Sequence, residues 1–124
     1  RGRTIAEQLV HLNSVRLGWL QYHRTGKRPR ASEVKRTDLR SAAQFKKAFQ
    51  ESHAAVEEFL RETLEGTARP RAFKGSSVRW MGYLISHESH HRGSIMLTLK
   101  QNGVRMKDDV ALGGLWGKWM WDKQ

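Results

Sequence analysis

The chain of 124 residues is predicted to be all-α, a helical bundle or a large part of one. Three observations carry this. Apolar residues recur three and four positions apart along most of the sequence. Capping residues and glycines stand where those runs begin and end. No apolar–polar alternation persists beyond a few residues, and no internal repeat is present. A chain of this length is expected to be a single domain, residues 1–124, with one core.

The first helix is expected in TIAEQLVHLNSVRLGWLQYH, where Thr4 and Glu7 have the spacing of a capping box. Ile5, Leu9, Leu12, Trp19 and Leu20 then recur at helical spacing. Residues 24–40, RTGKRPRASEVKRTDLR, are crowded with Lys and Arg and contain Gly26 and Pro29, which predicts a loop. A second helix is expected from Thr37 as N-cap to Leu64, with Gly66 just beyond it. Its apolar positions are Phe45, Phe49, Val56, Phe59, Leu60 and Leu64. ARPRAFKGSS breaks the pattern, and Ser76 or Ser77 can cap a long third helix that ends near Asn102-Gly103. The last segment, VALGGLWGKWMWDKQ, places Leu112, Leu115, Trp116, Trp119 and Met120 on one face. Its three glycines each cost about 1 kcal/mol relative to Ala, so this helix is expected to depend on docking. So large an apolar face also predicts a homodimer.

Composition limits the function. Lys and Arg number 23 against 12 Asp and Glu, a formal charge of +11 with a pI near 10.7. Such a surplus suits nucleic acid, anionic lipid or an acidic small molecule. The loop of residues 24–40, with Arg69, Arg71 and Lys74, is the support for a nucleic-acid-binding or regulatory module. Against it, no helix-turn-helix, zinc-finger or RNA-recognition signature is present, and the aromatics recur at the helical spacing of core residues. No uncharged stretch approaches the roughly 18 residues of a membrane span. The absence of cysteine excludes disulfides, a protein thiolate nucleophile and any Cys-based zinc site, and suits a reducing cytoplasm.

The informative stretch is ISHESHHRGSIMLTL, residues 85–99, which holds three of the six histidines within five positions. At roughly 100° per residue, His87 and His91 lie one turn apart on the face of Leu84 and Ile95, toward the interior. His90 lies farther round, near Leu97, and Glu88 falls close to the inner face, where Arg92 is a possible ion-pair partner. Imidazoles at i and i+4 can reach one metal ion together, but a tight site needs a third donor. His11, midway along the first helix on the flank with Gln8 and Val15, is the best placed. His53 and His23 are weaker candidates.

HESHHRGSIMLTLKQNG resembles the signature of the DinB-like helical-bundle family, in which a histidine is followed four residues later by His-Arg-Gly on a long helix ending in a Gly turn. TIAEQLVHLNSVRLGWL resembles that family's earlier helix, with a histidine at its middle and a Trp about two turns on. The resemblance spans roughly residues 3 to 122. It implies an up-down-down-up four-helix bundle with a divalent metal held by His11, His87 and His91, His90 not being a ligand. The family usually has a further helix before the one with the first histidine. Either that helix is missing from the numbered chain, or the last segment or another subunit completes the bundle.

Relatives by resemblance include transferases and isomerases that use low-molecular-weight bacterial thiols such as bacillithiol and mycothiol. The function this implies is that of a metal-dependent enzyme, a thiol transferase or hydrolase, activating a thiol or water on a small and acidic substrate. Glu88 and His90 are then the proton-transfer candidates. Zinc, nickel and iron all accept histidine nitrogen. A purely structural ion would instead be enclosed by a fourth protein ligand.

Overall fold

The computed structural model describes residues 2–27, 39, 41–117 and 120, without the side chain of Leu115. The described residues form helices and no strand, as expected. Helix α1 spans Ile5–Thr25, α2 Ala42–Leu64 and α3 Ser77–Gln101. A 3-10 turn at Phe73–Gly75 precedes α3, and a π-helix at Asp109–Gly117 follows it. Residues 1–91 and 92–124 form two compact units. No described helix is long and apolar enough to cross a membrane.

Local chemistry explains the helix ends. Thr4 N–H donates to Glu7 Oε2 at 2.6 Å, and Glu7 N–H donates to Thr4 Oγ1 at 3.2 Å. The expected capping box is therefore formed. Gly26 closes α1 with φ of 75°, the left-handed region that glycine enters without penalty. Helix α2 starts later than expected. Its cap is Ser41, whose box with Gln44 has the same reciprocal bonds at 2.9 and 3.2 Å. Ser41-x-x-Gln44 has the right spacing but lies just past the polar segment 24–40, within the helix expected from Thr37. Thr37 and most of the basic loop lie outside the described residues. Ser76 caps α3 by accepting from Arg79 N–H at 3.3 Å.

The core of the first unit lies where α1, α2 and α3 meet. Phe59, Trp80 and Leu84 are buried there, packed by Trp19, Leu20, Val56, Leu60, Phe73 and Tyr83. Leu64, expected on the apolar face of α2, is instead 83% exposed, because the helix end carries it past this cluster.

In the second unit, the expected α-helical face is replaced by π winding. A π-helix bonds i to i+5 and so has more residues per turn than the α-helix expected here. Gly113, Gly114 and Gly117 supply no side chains to hold the tighter winding. Leu112, Trp116 and Met120 remain between 47% and 63% exposed. Trp119 lies outside the described residues.

Trp80 and Leu64 give a paired test of this packing. Trp80 is fully buried, so Trp80→Ala is expected to lower unfolding free energy by about 3–5 kcal/mol in urea denaturation. Leu64→Ala, at an exposed position, is expected to change it by less than about 0.5 kcal/mol.

Candidate metal centre

His11 from α1 and His87 and His91 from α3 converge. Their candidate ligand atoms all lie within 4.8 Å of one another. The ring centres are 5.2 Å apart for His11 and His87, 4.9 Å for His11 and His91, and 4.7 Å for His87 and His91. The i,i+4 spacing places two rings on one face of α3, and α1 presents the third.

Neighbouring groups orient these rings. His91 is buried, and its Nδ1 is 3.3 Å from Gln8 Oε1. With the proton on Nδ1 that bond is a donation, which leaves the Nε2 lone pair free for a metal. Gln8 is buried one turn before His11 on α1, so one helix face supplies both a third imidazole and an acceptor. Tyr83 stacks on His87 at 5.6 Å between ring centres.

Glu88 pairs with Arg16 on α1, not with Arg92. Arg16 Nε donates to Glu88 Oε1 and Nη2 to Oε2, both at 2.6 Å. Arg16 also reaches Ser52 Oγ on α2 at 3.4 Å and lies over the Phe49 ring at 5.0 Å. This tie joins three helices directly beside His87. His90 is exposed, its ring centre 5.1 Å from that of His91.

The weaker histidine candidates are elsewhere. His53 is 73% exposed, with Nε2 3.7 Å from Glu57 Oε2. His23 is buried among Trp19, Phe59, Phe73 and Trp80, and its Nδ1 accepts from Arg71 N–H at 3.2 Å. The residues that sequence reasoning missed are Arg16, Gln8 as a partner of His91, and Tyr83. Gln8 had a detectable signal, its i,i+3 spacing to His11. The Arg16–Glu88 pair spans 72 positions and has none.

Charge and burial favour neutral imidazoles. Burial, helped by Arg3, His91 and His87, pushes His11 from 6.5 down to about 4. Burial likewise lowers His87, although Glu88 opposes the shift, and lowers His91 with help from His87, His90 and Arg3. Lone pairs are thus available at neutral pH, the state that a metal requires. The buried Nδ1 of His87 has no hydrogen-bond partner among the described residues. An ion fits this donor set, which is nitrogen-only and open to at least one further ligand.

The model of the DinB family matches residues 1–118 of the chain. The searches of curated proteins and of solved structures return no match.

The same shifts set the pH response of chelated protein. Burial holds His11, His23, His87 and His91 below the ordinary histidine value of 6.5, so the unfolded chain binds more protons as pH falls past that value. Their contribution to stability is present above about pH 6.5 and is lost as pH falls through each folded value, near 4 for His11. The urea midpoint of chelated protein is expected to drop over that window, and His11→Asn is expected to flatten the drop. A midpoint that rises on acidification would contradict the burial of these rings.

Proposed function

The chain belongs to the DinB family, and on that premise we propose that it is a metal-dependent enzyme whose divalent ion is held by His11, His87 and His91. The observation that carries this is the convergence of three candidate nitrogen ligands, from two helices, within 4.8 Å. When bound, the ion acts as a Lewis acid toward a thiol or a water. Zinc, nickel and iron each suit the donor set.

The chain's own residues have distinct roles in this reading. Gln8 fixes the tautomer of His91 through Nδ1, which keeps Nε2 directed to the ion. Both oxygens of Glu88 are engaged by Arg16, so Glu88 serves as a positioning residue beside His87 instead of a proton carrier. His90, exposed next to His91, is the side chain left to take or give a proton at the solvent edge. Arg3, whose charge reaches all three imidazoles, favours an anionic substrate or thiolate there. A low-molecular-weight thiol and a small acidic electrophile are the reactants that fit. The exposed Leu112, Trp116 and Met120 support a homodimer.

Elemental analysis separates the ligands from the other histidines. His11→Ala, His87→Ala and His91→Ala are each expected to lose most bound metal, while His90→Ala and His53→Ala retain about one ion per chain, the expectation for a three-imidazole site. Thiol transfer by the metal-loaded parent, lost with His91→Ala, would support the enzymatic reading. Metal retention by His91→Ala, with loss in His90→Ala, would contradict the assigned register.

A further inference from the structure

A second cleft of about 520 Å³ is lined by His23 and Arg24 at the end of α1, Phe59 of α2, and residues 67–71. His23 follows His11 by twelve residues on the same helix, about 18 Å of axial rise. The cleft is therefore separate from the metal centre. Its volume is in the range of small-molecule sites.

Its charge is positive and partly unpaired. Arg24 gives both terminal amino groups to Glu62, one of them at 2.8 Å, and its guanidinium lies over the Phe59 ring. That pair is neutral as a unit. Arg69 and Arg71 have no acidic partner among the described residues. Two arginines that line one cleft without an acidic partner leave positive charge there for an anion to meet.

Arg71 is held in place. Arg71 N–H donates to His23 Nδ1 at 3.2 Å and Arg71 Nε donates to His23 O at 3.1 Å. The plane of its fork is thereby set, and its two terminal amino groups make no hydrogen bond among the described residues. Arg69 lies against the turn at Phe73–Gly75, where Phe73, Lys74 and Gly75 have φ of 53°, 55° and 70°. A Cβ on Gly75 would crowd the Arg69 guanidinium, and φ of 70° favours glycine there in any case. Non-glycine residues seldom enter the left-handed region, and here two in succession do.

A third observation concerns the buried wall. His23 is 3% exposed, and because Nδ1 accepts from Arg71 its proton sits on Nε2. That buried N–H has no acceptor among the described residues. The cleft thus gathers three arginines, one of them paired with Glu62, and no acidic side chain lines it.

We propose that this cleft binds a small molecule through an oxyanion, a phosphate monoester or a carboxylate, clamped between Arg69 and Arg71. Arginine forks match both groups by paired N–H···O bonds. The proposal stands independently of the metal and of any reaction at the metal centre.

Isothermal titration of the metal-loaded protein with methyl phosphate, succinate and chloride at matched ionic strength tests this. Saturable binding of one equivalent of methyl phosphate or succinate, and none of chloride, is expected, and whichever binds more tightly identifies the oxyanion. Arg69→Gln, which breaks no bond within the chain, is expected to weaken binding about tenfold or more. Arg71→Lys, which keeps the charge but loses the fork, is expected to do likewise. Metal content should be unchanged in both variants. No saturable binding by the parent, or equal binding by Arg69→Gln, would overturn the proposal. So would binding that disappears when the parent is stripped of metal, since the anion would then be a ligand of the ion.

Discussion

The Arg16–Glu88 ion pair is the interaction on which the metal centre depends. Both guanidinium contacts are 2.6 Å, the geometry of a paired, charge-assisted bond. The side chains are 16% and 30% exposed, between the surface and buried limits. Loss of one partner should therefore cost about 1–3 kcal/mol, more than a solvated pair and less than a fully buried one. The energetic term matters less than the position. Glu88 adjoins His87 in the chain, and Arg16 lies five residues beyond His11, so the pair sets how α1 lies against α3. Through Ser52 and the Phe49 ring, Arg16 brings α2 into the same arrangement.

Given that register, the rest of the centre follows from burial. Three imidazoles crowded between helices are costly to protonate, because desolvation and mutual repulsion both penalise the charged form. His11 is displaced to about 4, by burial first and then by the Arg3 charge and the other two rings. A site that resists protonation is one whose lone pairs stay available. Three neutral imidazoles would leave an ion its full positive charge, to be offset by whatever anion binds it. Glu88 is too firmly held by Arg16 to do so freely.

The fold and the three-histidine cluster were legible for different reasons. Local rules carried the helices, as in the Thr4–Glu7 capping box and the i,i+4 histidines, because short-range geometry is written in spacing. The choice of His11 as third donor came from a family resemblance and an apolar flank, and the packing of α1 against α3 brings it to the others. Interactions with no local signal were missed. Arg16 and Glu88 are 72 positions apart, and Arg92, at the right helical spacing, was the plausible wrong partner. The start of α2 was misplaced because Thr37 and Ser41 both satisfy the preference for a capping hydroxyl. In the last segment, Gly113, Gly114 and Gly117 supply no side chains that would enforce α winding, and Asp109–Gly117 is wound as a π-helix.

The claim that two helices place three imidazoles around one ion is open to direct measurement. X-ray absorption at the metal edge of zinc-loaded protein counts imidazole ligands by their outer-ring scattering. Three imidazoles at about 2.0–2.1 Å and one ion per chain are expected, with a light-atom ligand in the remaining position. Two imidazoles or fewer, or a spectrum unchanged by His11→Ala, would contradict the assembly of the centre across α1 and α3.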